Sequence, residues 1–279
     1  MTLKSRIPVL VALTLALTFA ARADEVSEKG REIFKKQQKV VVTVQIVQKV
    51  TYASGGRTGE PRENKQDVTS TVIDSSGLAV LALSASDPSE MIKRMYPDYK
   101  VEVEVSDVKI LLDDGTEIPA EIVLRDKDLD LAFIRPKAKQ TSPMPAVDLA
   151  KSSPAQVLDS VFTINRLGRA AGRAHAASVE RITAVVQKPR TFYIPDSTMT
   201  ATGLGSPVFA LDGNIVGIMV MRAISSGGAS AGSSRQDNAT SIILPAEDVL
   251  KAAKQAPEAK GEETKKEEAK ATTTEPEKK

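Results

Sequence analysis

The 279 residues contain no cysteine and one histidine, His175. Without thiols there is no disulfide framework and no thiolate metal centre. With a single imidazole, a histidine-rich metal site is excluded too. Charge of one sign is also lacking: the formal balance is +2, which offers no electrostatic footing for nucleic acid. After the N-terminus no run is apolar enough to cross a bilayer. No cofactor and no metal are expected. His175 lies in GRAAGRAHAAS, which reads as a solvated Arg/Ala/Gly loop.

What is present begins with a targeting segment, residues 1–23. Lys4 and Arg6 form a positive start, Ile7 to Ala20 an apolar stretch, and Ala21-Arg22-Ala23 a cleavage pattern. Its removal leaves 35 basic against 36 acidic residues. The expectation is an exported protein, periplasmic or extracellular, with no membrane span once the signal is cleaved. Residues 257–279 contain no Val, Ile, Leu or aromatic residue. A Lys/Glu/Thr/Pro stretch of this kind cannot bury enough apolar surface to offset its ordering entropy, so a disordered tail is expected.

Between them, residues 24–256 are rich in Val, Ile and Leu and long enough for one sizeable all-β domain or two small ones. After an amphipathic opening at 25–38, KVVVTVQIVQKVTYA alternates as a strand. Residues 58–66 read as a polar loop. Further strands are expected at 68–73, 78–83, 101–105 with 108–112, 118–124 and 129–134, with a short helix from Pro88. A Pro- and Lys-punctuated linker, 136–154, precedes a second set at 160–164, 177–187, 190–194, 206–211, 215–221 and 240–243. Asp212-Gly213-Asn214 marks a hairpin, residues 225–234 a Gly/Ser-rich loop, and residues 245–254 a closing helix with Val249, Leu250 and Ala253 on one face. Two six-strand sets predict an all-β chain: two antiparallel six-stranded β-barrels, about 36–137 and 155–245, with a short C-terminal helix.

Three stretches then carry a family resemblance. VKILLDDGTEIPAEIVLRDKDLDLAFIRP (108–136), SPVFALDGNIVGI (206–218) and SIILPAEDVL (241–250) resemble, in that order, segments of the HtrA (Deg) type of trypsin-like serine protease. The likeness covers roughly residues 36–254, without the PDZ domain that often follows in that family, since the sequence runs into its tail. It implies a chymotrypsin/trypsin-like double barrel. It also assigns positions. The family's base falls in G-x-[VI]-[VL]-T-N-x-H-V, where GLAVLALSA puts Ser84. Its orienting aspartate corresponds to Asp130 of DLAFI. Its nucleophile motif G-N-S-G-G-P corresponds to TGLGSP, so Leu204 stands at the serine, Gly203 at the Asn, Thr202 at the first Gly, and Gly205 and Ser206 at the next two.

A hydroxyl is no base near neutral pH and a leucine no nucleophile. In a measured triad, loss of either group costs on the order of 10⁶ in turnover. The resemblance therefore implies a degenerate protease that acts in the envelope as a protein- or peptide-binding or scaffold module, with a candidate peptide cleft at Thr202, Gly203, Leu204 and Gly205. The alternative is a serine endopeptidase rearranged around Ser206, for which no base is evident. Lys151 beside Ser152 and Ser153 lies in the linker, outside any matching dyad pattern. Asp130 is expected to serve structure by accepting hydrogen bonds, Ser84 among the donors. The leucines at 81, 83 and 204 either line an apolar cleft or fill the space between the barrels.

Overall fold

The computed structural model describes residues 25–54, 57–95, 99–196, 203–223 and 239–258. The expected signal segment, Thr202, the 225–234 loop and the tail from 259 lie outside the described residues.

Helix α1 (25–37) leads through a single 3-10 turn into β1 (Val41–Ser54). The first barrel is completed by β3 (Arg62–Val72), β4 (Ala79–Ala82), β5 (Tyr99–Leu111), β6 (Glu117–Asp126) and β7 (Leu131–Pro136), after a two-residue β2 (Arg57–Thr58). The sheet order β2-β1-β3-β4-β7-β6-β5 closes through β1 and β5. The second barrel is closed in the order β10-β13-β12-β11-β8-β9. Its strands are β8 (Ser160–Arg166), β9 (His175–Val186), β10 (Phe192–Pro195), β11 (Pro207–Ala210), β12 (Ile215–Ala223) and β13 (Ala239–Pro245). The expected fold class is the observed one: two closed antiparallel six-stranded barrels, with α4 (Ala246–Ala253) at the C-terminal end.

Two local expectations are corrected. The polar stretch 58–66 is largely strand, because β3 starts at Arg62 and pairs its charged residues with β1, Lys49 opposite Glu63. Residues Arg62 to Lys65 are exposed on both faces and so show no hydrophobic alternation to read. The runs 101–105 and 108–112 belong to one strand. Their apolar phase changes because Ser106 is an extra residue: Val47 pairs with Asp107 and Gln48 with Val105. The Ser106 hydroxyl donates to the Val47 carbonyl at 3.0 Å. One unpaired residue shifts the side-chain alternation by one position, as a β-bulge does.

The continuous apolar run around 78–83 arises because β4 is buried on both faces. Ala79 and Leu81 point into the first barrel's core, whereas Val80 and Ala82 join Leu131 and Phe133 of β7 against the second barrel. Ile33 of α1 packs into this inter-barrel cluster as well. The linker after β7 packs too: Met144, Val147 and Leu149 are buried, and the Val147 amide donates to the Val72 carbonyl at 3.0 Å.

Polar stitches fix the barrels' relative position. Thr71 donates to the Gly205 carbonyl at 2.8 Å. Buried Arg166 of β8 reaches Thr43 of β1 at 3.3 Å and Asp113 of the β5–β6 turn at 2.6 Å. Asp67 of β3 receives Arg173 at 2.8 Å and Arg169 at 3.2 Å, and these cations, with Gln45, hold its carboxyl below the usual carboxylate range against the opposing effect of burial.

Candidate functional site

The site forms where β4 turns into the single-turn helix α2 (Leu83–Ser86), beside the turn at 127–130 that opens β7. Asp130 sits at positive φ, +57°. The left-handed region is reached by few non-glycine residues, aspartate among the more frequent. This conformation places the carboxylate among three donors. Oδ1 accepts from the Ser84 amide at 2.7 Å, and Oδ2 accepts from the Ser84 hydroxyl at 2.8 Å and the Met221 amide at 2.8 Å. The Leu83 amide donates to the Asp130 carbonyl at 2.9 Å. Asp130 therefore joins α2 of the first barrel to β12 of the second.

Desolvation raises the Asp130 carboxyl to about 6, against the lowering by its three hydrogen bonds. The ordinary value is 3.8. Between pH ~4 and ~6 the folded chain retains a proton that the unfolded chain has lost. Stability contributed by this group is thus fully present below about pH 4 and declines as pH rises through 6. The span is about 3 kcal/mol. We expect urea midpoints of wild type minus Asp130→Asn to fall across that window; a flat difference would refute the desolvated carboxylate. The subtraction cancels other titrating groups.

Leu204 is buried and packs into the inter-barrel cluster. Leu81 and Leu83 are buried in the first barrel's cluster. Leu204 thus fills the space between the barrels and Leu81 the first barrel's core, while Leu83, though buried, also lines the open cleft. Gly203 and Gly205 are covered as well, so the open cleft does not run over residues 203–205. Gly205, at φ +87°, lies against Thr69, Leu81 and Ala82 main chain, and its amide donates to the Met219 carbonyl at 2.7 Å. The next residue, Ser206, is fully buried, and its hydroxyl has no hydrogen-bond partner among the described residues.

His175 is not a solvated loop residue. It is the first residue of β9, directly opposite Arg166, with Arg166 Nη1 2.9 Å from Nδ1 and 2.7 Å from Nε2. Nε2 lies 3.1 Å from the Val41 carbonyl, and the Phe34 ring meets the imidazole edge-on. A tautomer protonated at Nε2 donates to Val41 and accepts Arg166 at Nδ1. Burial and then the Arg166 charge hold its pKa below the ordinary histidine value. The Ala/Gly-rich neighbourhood gave no sequence signal of this packing; the partner is nine residues away and set by strand register.

The open concavity lies beside Asp130, a cleft of about 260 Å³ between the barrels. Leu83, Ser84 and Asp130 form part of one wall, and Phe192, Met221 and Arg222 part of the other. β12 pairs with β13 through Met221, Arg222 and Ala223. On its other edge the pairings with β11 end at Ile218, followed by the Gly205 and Ser206 contacts at Met219. From Met221 onward that edge faces the cleft. Its Met221 amide is held by Asp130, and Arg94 of α3 (Ser89–Met95) donates to the Ala223 carbonyl at 3.4 Å. Sequence reading missed Arg94, Arg190 and Arg222, whose shared cleft depends on the docking of the barrels.

Two closed barrels meeting at a cleft that holds Asp130 define the trypsin-like fold. The trypsin-like peptidase domain family matches residues 95–218, a span that includes Asp130, Leu204 and Ser206 but not Ser84. Among solved structures the chain is similar to the MamO protease domain from Magnetospirillum magneticum, in its apo form. The likeness has 14% sequence identity and a TM-score of 0.50, and covers 78% of this chain and 97% of that one. No curated protein matches the chain. Among the described residues no group of three or more His, Cys, Asp and Glu side chains is placed to hold a metal ion.

Proposed function

We propose that this is an exported, catalytically inactive trypsin-like domain that binds protein or peptide segments in the cleft beside Asp130. The observation that carries the reading is the Ser84–Asp130 pair. Both carboxylate oxygens, which in a triad would orient an imidazole, are occupied by Ser84 and Met221 donors. The buried leucine at the nucleophile position supports it, because its side chain offers no atom that attacks a carbonyl. The buried hydroxyl of Ser206 and the distant engagement of His175 count against a rearranged protease. Peptides add to free strand edges through main-chain hydrogen bonds, a mode that needs no triad. The cleft-side edge of β12 at Met221–Ala223 pairs with no strand among the described residues, and an incoming segment there would displace the Asp130 bond to the Met221 amide and the Arg94 bond to the Ala223 carbonyl. The apolar run at 7–20 and the Ala21-Arg22-Ala23 pattern support export.

Incubation of the mature protein with unfolded casein tests the reading. Binding without cleavage is the expected result; sustained cleavage that vanishes on mutation of Ser206 or Asp130 would overturn it. Arg94 caps the Ala223 carbonyl on the same edge and so competes with an incoming strand. Arg94→Ala is expected to tighten casein-peptide binding about threefold, the weight of one modest hydrogen bond. Fluorescence anisotropy reads this directly, and weaker binding by the variant would refute the edge as the docking line.

A further inference from the structure

We propose that the cleft selects a segment carrying an acidic side chain, and that Arg190 and Arg222 hold its carboxylate. This rests on the cleft being a peptide site, and it adds the chemistry of the ligand. The two walls differ in how their charges are used. On the first-barrel wall, Glu90 is bound to Lys127 at 2.6 Å. Asp87 receives the Ser89 amide at 3.0 Å and Asp130 its three donors. Asp128 completes that acidic side. Arg94 is directed at the Ala223 and Lys127 carbonyls. On the second-barrel wall, Arg190 and Arg222 line the cleft, and no carboxylate pairs with either among the described residues.

Arg222 is also oriented. Its guanidinium carbon lies 4.9 Å from the centroid of the Phe192 ring, a cation–π contact that holds the planar fork without using its five N–H donors. Arg222 belongs to the strand whose edge faces the cleft, while Arg190 is exposed two residues before Phe192. A segment lying along β12 therefore meets, on one side, two guanidinium groups without a carboxylate partner among the described residues and, on the other, engaged or repelling carboxylates. The carboxylate of an aspartate or glutamate fits the first side, and a basic residue there is repelled. Bidentate charge-assisted bonds give such an anchor both strength and orientation.

The test uses the mature protein and two short capped peptides, identical except for a central glutamate or glutamine and bearing a photoreactive group. Anisotropy measures affinity and the crosslinked residues locate the peptide. The glutamate peptide is expected to bind about tenfold more tightly at low ionic strength, with a margin that narrows in high salt. Combining Arg190→Gln with Arg222→Gln should reduce that margin to within about twofold, with thermal melting unchanged as a check on folding. Equal affinities with crosslinks at Met221–Ala223 would overturn the acidic preference and leave the peptide site standing. Absence of cleft crosslinks for both peptides would overturn the site itself, and the preference with it.

Discussion

Gly205→Ala is expected to destabilise the domain by about 3–5 kcal/mol, combining left-handed strain with a main-chain collision. Three observations set the size of the effect. Gly205 lies at φ +87°, where any Cβ is strained. A Cβ there would run into the Thr69 carbonyl oxygen and stand 3.2 Å from Leu81 Cα and 3.3 Å from Ala82 N. These are backbone atoms of two strands, and no rotamer change relieves the contact. The strain would also be felt by the bonds that Gly205 makes to Met219 and Thr71, one within the second barrel and one between barrels. For a domain of this size, such a loss lowers the melting temperature by about 10 °C. Gly115→Ala supplies the control. Gly115 has almost the same φ, +85°, with nothing within 4 Å, so only conformational strain of about 1–2 kcal/mol applies. Equal losses for the two variants would show that Gly205 is not wedged between the barrels.

Leu204→Ser is expected to cost about 3–5 kcal/mol without creating a protease. Truncating a buried leucine loses transfer free energy and leaves a cavity, and the introduced hydroxyl adds the cost of burying a polar group. Leu204 is 4% exposed and belongs to the cluster that joins Val80, Leu131 and Phe133 of the first barrel to Val208 and Ile218 of the second. The loss should appear as a lower urea midpoint with little change in slope. A restored serine at 204 would still lack its proton acceptor, because Asp130 is bonded to a hydroxyl and two amides. Hydrolysis of a peptide ester by Leu204→Ser at more than the buffer rate, abolished by Asp130→Ala, would contradict this.

Much of the fold was legible because many of the barrel strands are rich in β-branched residues and separated by turn residues. The Asp113–Gly115 and Asp212–Asn214 turns separate strand pairs, as the residues implied. Legibility failed where alternation is absent or interrupted. Arg62–Gln66 is strand because β1 offers its edge, a tertiary cause without a local pattern. At Ser106 the bulge split one strand into two apparent runs.

The site was legible to a different degree. The Ser84–Asp130 contact followed from placing one short motif on another, since both fall at strand ends that the barrel brings together. The open part of the cleft did not follow. The motif directed attention to residues 202–205, of which the described three are covered, whereas the concavity lies along Met221–Arg222 and the loops facing it. Burial of a glycine loop depends on what docks over it, which no local pattern records. His175 was misread for the same reason: its neighbours in sequence are small, and its partners Arg166, Val41 and Phe34 arrive from other elements.

In this double barrel Ser84 is hydrogen-bonded to Asp130 and Leu204 is buried; in the function proposed above they stand where a trypsin-like protease has its base and its nucleophile. A fluorophosphonate probe followed by intact-mass measurement tests it most directly, since such probes modify serines activated by a neighbouring base. The folded protein is expected to keep its unmodified mass under conditions that fully label an active trypsin-like enzyme. A one-to-one adduct on Ser206 or Ser84 that forms on the native protein and fails to form after heat denaturation would contradict it.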